Sequence, residues 1–467
     1  MNGRQRTRQR TRIRASDAPR FTEGAVSGHV IRLSGFMIMG FLAMTVAQLI
    51  EAVYLGLVGT DELAAVAFTF PIVMALSAMT RGIGIGTGAV LARTMGGGDR
   101  ERSARLASHG LLLVLAFTIV CSALLITYAH QLFALLGARE HTLDLVVSYV
   151  VIFAFGFPFF GLSMVGAGLM RSIGDPRFPG YVLAAGSVAQ VVLGPFLIFG
   201  WLGLPAMGIE GAAWAFALAR GVSFVMVVYW FFVKEQMFRS SLDSFGESCR
   251  AILHVGIPAM VSNMVQPISM AITTRLLAGM GAGVVAGFGV ASRFESLIHM
   301  VIIGIASSTG PLVGQNWGAR KFDRVNEVLR IANRYCLSWS VIGATIMWIG
   351  AAFLVGLVNE DAVLLATAIA FLYIVPISEG FEGLVGVATG SFNALSKPMP
   401  PLAVSVFRTL IVYVPLAIIG ARLFGYVGVF AATAVANVLG GSVAWYWNRQ
   451  MLQKQRSRME AAALPSS

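Results

Sequence analysis

Apolar residues run along this chain in long blocks separated by short polar stretches. Blocks of spanning length fall at about 30–58, 63–90, 106–130, 145–170, 180–202, 208–233, 252–279, 284–314, 332–358, 362–393, 399–420 and 425–447. A helix crosses the hydrocarbon core with about 20 apolar residues. None of the blocks alternates apolar with polar positions as a barrel strand does, and a lipid-embedded segment must satisfy its own backbone. The pattern predicts an all-α polytopic membrane protein of twelve transmembrane helices.

The loops sort by sign. Those after even-numbered spans carry Arg93, Arg100, Arg102 and Arg105, then Arg171 and Arg177, Lys234, Arg239 and Arg250, Arg320, Lys321 and Arg324, and Lys397. The odd loops carry Asp61 and Glu62, Arg139 with Glu140 and Asp144, Glu360 with Asp361, and Arg422. The positive-inside rule therefore places the even loops and both termini in the cytoplasm, with a bacterial inner membrane the best fit. One missed span would reverse every later loop, so the sorting also supports the count of twelve.

The two halves repeat. At one fixed, ungapped offset Gly59 falls on Gly281, Gly82 on Gly304, Thr87-Gly88 on Thr309-Gly310, Gly96 on Gly318, Arg102 on Arg324, Gly168 on Gly390 and Pro176 on Pro398. Later, Gly208 and Gly211 correspond to Gly425 and Gly428 after a short deletion. Chance apolar similarity does not place glycine, threonine, arginine and proline together. Six spans per half is an even number, so the halves form a parallel repeat about an axis along the membrane normal. Two pseudo-symmetric six-helix lobes suit rocking alternating access. The divisions expected are a disordered basic tail at 1–28, an N-lobe at 29–234, a linker at 235–250, a C-lobe at 251–448 and a tail at 449–467.

The stretch GIGIGTGAVLARTMGGGDRERS (82–103) has the glycines of a phosphate loop but no preceding strand and no Walker lysine. Its repeat copy, GIASSTGPLVGQNWGARKFDRV, keeps the shared glycines. Small residues at this spacing let helices approach closely, so Gly88, Gly96, Gly310, Gly314 and Gly318 read as packing positions.

Composition agrees with the pattern. Of 467 residues 57% are hydrophobic and 12% charged, with a mean hydropathy of +0.77. A soluble domain has about 25% charged residues. The net charge is +12, much of it in the N-terminal MNGRQRTRQRTRIRAS. That tail has no apolar core of a signal peptide, and reads as lying near anionic headgroups rather than on nucleic acid. Cys121, Cys249 and Cys336 show no metal or disulfide spacing.

Charge inside the spans is costly, roughly 2.5–3.5 kcal/mol per residue at mid-membrane. Glu51 in the first span favours carrying a proton, unless it snorkels to the interface. Glu379 and Glu382 of the tenth span are three apart, on one helix face. Two carboxylates there resist ionising together, so they share a proton, neutralise an organic cation, or pair with Arg408. Glu295 and His299 are four apart in the eighth span, placed for a proton relay or a plain hydrogen bond. Arg81, Arg220, Arg275 and Arg408 read as partners in structural networks. Pro158, Pro258 and Pro376 are candidate bends.

PLVGQNWGARKFDRV (311–325), LARTMGGGDRERSARL (91–106), LVGTDELAAVAF (57–68), MRSIGDPRFP (170–179), FGVASRFESL (288–297) and FNALSKPMPP (392–401) together resemble the MATE multidrug-extrusion transporters, in order, from about residue 30 to 447. Gln315 belongs to this signature, as does its glycine frame. The resemblance implies export of amphipathic or cationic small molecules driven by inward H⁺, with Na⁺ as the alternative. It implies a first-helix acid, here Glu51, and a fifth-helix Asn-x-x-x-Asp pair. The matching positions are Gln190 and Gly194, so half of a sodium cage is missing while a protonatable group survives. Met37, Met44, Phe157, Met264 and Met270 lie on spans that line the cleft in such folds.

The expected function is therefore a cation-coupled antiporter, not an enzyme. No cofactor or metal is expected, the partners are small molecules and the bilayer, and a monomer is expected. A lipid-linked oligosaccharide flippase of the same superfamily is the alternative, since it would use cavity arginines to grip a pyrophosphate. A membrane enzyme lacks support, with no HExxH, DDxxD or Walker lysine. A receptor or scaffold leaves the intramembrane carboxylates unexplained.

Overall fold

The structure, a computed structural model, describes residues 21–357 and 361–462, apart from the side chains at 60, 61, 63, 64, 67 and 458–462. Residues 1–20 of the basic tail, the Asp61 side chain, Glu360 and residues 463–467 lie outside the described residues. Among the described residues every regular element is helical. The order is α1 (Val26–Val58), α2 (Thr60–Gly96), α3 (Arg100–Leu135), α4 (Glu140–Ile173), α5 (Phe178–Ile198) and α6 (Gly208–Tyr229), then α7 (Phe245–Ala278), α8 (Ala282–Gly318), α9 (Phe322–Gly356), α10 (Ala362–Ile374), α11 (Glu379–Ala394), α12 (Met399–Val406) and α13 (Val414–Ala462).

These thirteen helices make twelve spans. The tenth span is α10 and α11, split by Pro376, which sits in a 3₁₀ turn, Pro376–Ser378. Proline lacks an N–H, so the break frees carbonyls in the hydrocarbon region. α9 supplies donors on both sides of the break: Trp348 Nε1 donates to the Tyr373 carbonyl at 2.9 Å, and the Ser340 hydroxyl donates to the carbonyls of Pro376 at 2.8 Å and Ile377 at 2.9 Å. Pro158 and Pro258, by contrast, sit within the unbroken α4 and α7. The eleventh span is α12, a π-helical stretch (Phe407–Tyr413) and the start of α13. The helical run then turns back at Gly425, whose φ of 60° and ψ of −142° suit glycine. Gly420 and Gly428 meet backbone to backbone across that turn.

Two of the expected boundaries shift. Residues 21–28, read as part of a disordered tail, are docked. Phe21 and Thr22 are buried, and α1 starts at Val26. Arg324 of α9 donates to the carbonyls of Phe21, Glu23 and Gly24. The carbonyls of a chain entering its first helix need donors, and a basic loop supplies them. At the other end the last helix runs on to Ala462, beyond the expected end of the lobe at 448, with Leu452 buried.

The two lobes meet along α1, α2, α7 and α8, and glycine makes the meeting possible. Gly82 of α2 abuts Gly256 and Met260 of α7. Gly304 of α8 abuts Ser34 and Ile38 of α1. The repeat offset that takes Gly59 to Gly281 also carries Ser34, Ile38 and Gly82 onto Gly256, Met260 and Gly304. The contact of Gly96 with Gln315 and that of Gly318 with Arg93 are exchanged in the same way. The pair Ala92 and Gly314 maps onto itself, which puts it on the axis of the repeat. A Cβ on Gly314 would lie 2.7 Å from that of Ala92. Gly88 faces Ser172 of α4 and Gly310 faces Gly390 of α11, packing within each lobe.

Hydrogen bonds joining the lobes gather at the end that carries the basic loops. Gln315 accepts from Phe21 N at 3.1 Å and donates to the Ser172 carbonyl of α4 at 2.8 Å. Arg93 donates to Ser396 Oγ at 2.5 Å. The lobes are closed at this basic end, where Gly96 and Gly318 are pressed on the facing backbone. Toward the other end the facing surfaces are exposed, at Phe70 and Met74 of α2 and Met270 of α7, which leaves a cleft between the lobes.

Candidate functional site

The N-lobe buries one charge network. Glu51 lies on the face of α1 that packs on α5, where Gln190 meets it. Gln190 Nε2 donates to Glu51 Oε2 at 2.7 Å, and Arg220 Nη2 of α6 donates to Gln190 Oε1 at 2.8 Å. A guanidinium only donates, so it takes the amide oxygen and leaves the NH₂ for the carboxylate. The orientation of Gln190 follows from that logic. Arg220 also lies over the Phe216 ring, 5.1 Å from its centroid. Beside Glu51 is a cavity of about 10 Å³ lined by Tyr54, Gln190, Gly194 and Ala212, enough for one water. Glu51 finds no counterpart in the second half, where the repeat register places Thr273, hydrogen-bonded to Tyr413.

The C-lobe holds a second network built from α8, α11, the π-helical stretch Phe407–Tyr413 and α13. His299 Nδ1 is 2.5 Å from Glu379 Oε2 and 3.9 Å from Glu295 Oε1. Arg408 Nη1 is 2.9 Å from Glu382 Oε1. Asn437 Nδ2 donates to Ser378 Oγ at 3.1 Å, bracing the start of α11. The break at Pro376 puts Glu379 and Glu382 in the first turn of α11, where the helix dipole favours negative charge. Ligand atoms of Glu295, His299 and Glu379 all lie within 4.8 Å of one another, so the group is compact enough to share a proton or a cation. Three carboxylates face one guanidinium and one imidazole.

The structure brings together Glu51 with Gln190, Glu295 with His299 and Glu379, and Glu382 with Arg408. It adds Arg220 to the N-lobe chain and ties His299 to Glu379. Neither link is visible in one helix's periodicity, because each depends on which faces of distant helices meet.

Two cavity assignments are corrected. Phe157 is fully buried in the N-lobe core, stacked with Phe153 and Phe160. Met37 is buried with its Sδ 3.0 Å from Arg171 Nη1. Met44 is half-buried on the face of α1 that carries Glu51 two turns later. Met264 and Met270 are exposed, at 40% and 51%. Met270 lies on the face of α7 that Gly256 turns toward α2. The arginines divide too. Arg220 and Arg408 sit in networks, but Arg81 and Arg275, expected to be paired, are exposed and without a hydrogen bond or ion pair among the described residues.

One constellation was not singled out in the sequence, although its centre lies in the MRSIGDPRFP stretch (170–179). Asp175, between α4 and α5, is buried and receives Lys234 Nζ at 2.7 Å, Trp230 Nε1 at 3.0 Å, and the backbone N–H groups of Arg177 at 3.0 Å and Phe178 at 3.1 Å. Burial pushes its carboxyl up, but these donors outweigh it and hold the pKa at about 2. It locks the π-helical end of α6 to the loop that starts α5.

Two lobes around a cleft, related by a repeat and carrying buried carboxylates, define a membrane transporter. The chain matches the MatE family over residues 37–196 and again over 258–419, once per lobe, and it belongs to that family. It is 29% identical over 416 residues to the FAD transporter of Shewanella oneidensis, covering 88% of this chain and 91% of the relative. It is 28% identical over 400 residues to the probable multidrug resistance protein NorM of Deinococcus radiodurans, covering 83% and 87%. Among solved structures, the Vibrio cholerae MATE transporter VcmN in its bent form superposes with a TM-score of 0.87 at 27% identity, covering 92% of this chain and 97% of that one.

Proposed function

We propose that this chain is a secondary active antiporter that exports amphipathic small molecules from the cytoplasm in exchange for inward H⁺, by rocking of its two lobes. The observation that carries the proton is the orientation of Gln190. Arg220 occupies its oxygen, so the amide presents N–H groups to Glu51. A sodium ion at Glu51 needs oxygen ligands, and a donor amide repels it. A proton on the carboxylate needs none. In the C-lobe, three carboxylates against Arg408 and His299 leave a negative charge even with the imidazole protonated, and a second proton balances it. The sign of the loops supports a reading in which the closed end faces the cytoplasm of a bacterial inner membrane and the cleft opens outward.

Expression in an efflux-deficient bacterial host tests this reading. Export of an amphipathic dye such as ethidium should collapse with a protonophore and persist in sodium-free medium. Glu51→Gln keeps the hydrogen bond to Gln190 but cannot ionise, so it should lower export roughly tenfold or more with normal expression. Export that survives the protonophore and stops without sodium would overturn the proton assignment.

A further inference from the structure

The geometry points to an amphipathic organic anion as the cargo, an aromatic phosphate of dinucleotide size, held by Arg81 on the floor of the cleft and Arg293 on its wall. This rests on the transport reading above and names the charge of what is carried.

Arg81 and Ala92 are close to three turns apart along α2, so the two share a helix face. Ala92 is the residue of α2 that touches Gly314 of α8 on the repeat axis. Arg81 is thus aimed at the opposite lobe. One residue on, Gly82 is pressed against α7, and at the matching height Gly304 is pressed against α1. At this level the four inner helices converge, and yet Arg81 remains exposed. It stands where the cleft ends.

Arg293 and Gly318 are close to seven turns apart along α8. Gly304 and Gly318 mark the face of α8 turned to the N-lobe, and Arg293 lies between them in direction. It too is exposed, and among the described residues neither guanidinium has a hydrogen bond or ion pair.

An unpaired guanidinium within a span costs roughly 2.5–3.5 kcal/mol on insertion scales, and one kept without a partner is a binding site awaiting its counter-ion. The carboxylates nearby do not supply that counter-ion. Glu51 faces Gln190, Glu295 and Glu379 face His299, and Glu382 faces Arg408, each inside its own lobe, and the negative charge left in the C-lobe network is the one the coupling proton balances. The charge left uncompensated on the cleft walls is positive.

The rest of the lining sets the cargo's other end. Phe70 and Met74 are exposed on α2 on the face that carries Arg81, and Met270 is exposed across from them on α7. Aromatic and thioether surface takes a flat ring. In the repeat Arg81 corresponds to Ile303, almost three turns from Arg293 along α8, so the arginines sit at heights about 15 Å apart. A compact anion reaches one of them; an elongated one reaches both. Guanidinium favours phosphate because its planar fork gives paired hydrogen bonds.

FAD and riboflavin share one ring system and differ by the pyrophosphate and its nucleoside, so they isolate the charge. The full chain, purified in detergent, should bind FAD roughly tenfold or more tighter than riboflavin. Raising salt tenfold should weaken FAD and leave riboflavin unchanged. Arg81→Gln should erase the preference, Arg81→Lys should keep most of it, and Arg293→Gln should lower FAD affinity several-fold. Arg81→Glu should reject FAD and bind ethidium more tightly than the wild-type protein does. Equal wild-type affinity for the two flavins, or Arg81→Gln protein that is monodisperse and still prefers FAD, overturns the assignment. The wild-type comparison and its salt dependence stand even if a variant does not fold. In proteoliposomes the two readings separate. If ethidium moves and FAD does not, the transport reading stands and the anion falls. If neither moves, the transport reading itself fails.

Discussion

An amide held between a guanidinium and a carboxylate has one way to point, and at Gln190 that direction decides what Glu51 can bind. Glu51 was legible as a carboxylate inside a span, and Gln190 was named only because the resemblance to the family marks that fifth-helix position. The sequence did not name Arg220 as the residue that turns the amide. Glu379 and Glu382 were legible as two acids on one turn, but the partner of each lies on another helix. Phe157 and Met37 show the opposite failure, since a residue on a cleft-lining helix faces the cleft only if its own turn does. Asp175 lay inside the MRSIGDPRFP stretch but its role was not legible, because its partners come from the backbone just after it and from the far end of the next helix but one. It carries a pH-dependent contribution to stability. Its folded pKa of about 2 lies below an unfolded value near 4, so the stabilisation is fully present above about pH 4 and is lost as pH falls toward 2. A shift of that size is worth roughly 2 kcal/mol. Asp175→Asn should therefore lower the melting temperature at pH 7 and leave it little changed near pH 2. Thermal unfolding in detergent across that range reads the difference, and equal losses at both ends would show that the carboxylate's charge is not what matters.

At the scale of the element, the twelve spans were legible because hydrocarbon imposes a length and forbids unsatisfied backbone. The break at Pro376 is different in kind, because only one of three candidate prolines uses it. What distinguishes Pro376 is α9, whose Trp348 and Ser340 donate to carbonyls on the two sides of the break. The turn at Gly425 matched a glycine pair already set by the repeat. Helix contact at the basic end depends on the glycines more directly. Gly318 is pressed on the backbone of Arg93, and any side chain there separates α2 from α8. Gly318→Val should hold the basic end apart. A thiol at Ser396, which receives Arg93 across that seam, should then label roughly tenfold faster with a membrane-impermeant reagent applied from the basic side, and export should fall to background. Unchanged labelling with lost export would locate the defect elsewhere. The docked segment at 21–24 belongs to the same seam, since it bonds to Gln315 and Arg324.

Across the whole molecule, one constant offset exchanges the interlobe contacts pair by pair, yet the chemistry does not repeat. Glu51 becomes Thr273, Arg81 becomes Ile303, and the C-lobe acids at Glu379 and Glu382 stand where the N-lobe has Phe157 and Phe160. On the proposed mechanism the frame is symmetric because two lobes that rock against each other need matched surfaces. The charges are asymmetric because coupling and cargo recognition are separate tasks. This division makes the axis a place to test the motion without touching either. Ala92 and Gly314 meet there, their β-carbon positions 2.7 Å apart. A disulfide needs about 3.5–4.5 Å, so cysteines at both positions close a bond after a small easing of the helices. In a background without Cys121, Cys249 and Cys336, the oxidised double variant should bind cargo from the open side with unchanged affinity and transport none of it. Reduction should restore transport. If the cross-linked protein still exports, the basic ends do not have to part, and rocking about this axis is not the mechanism.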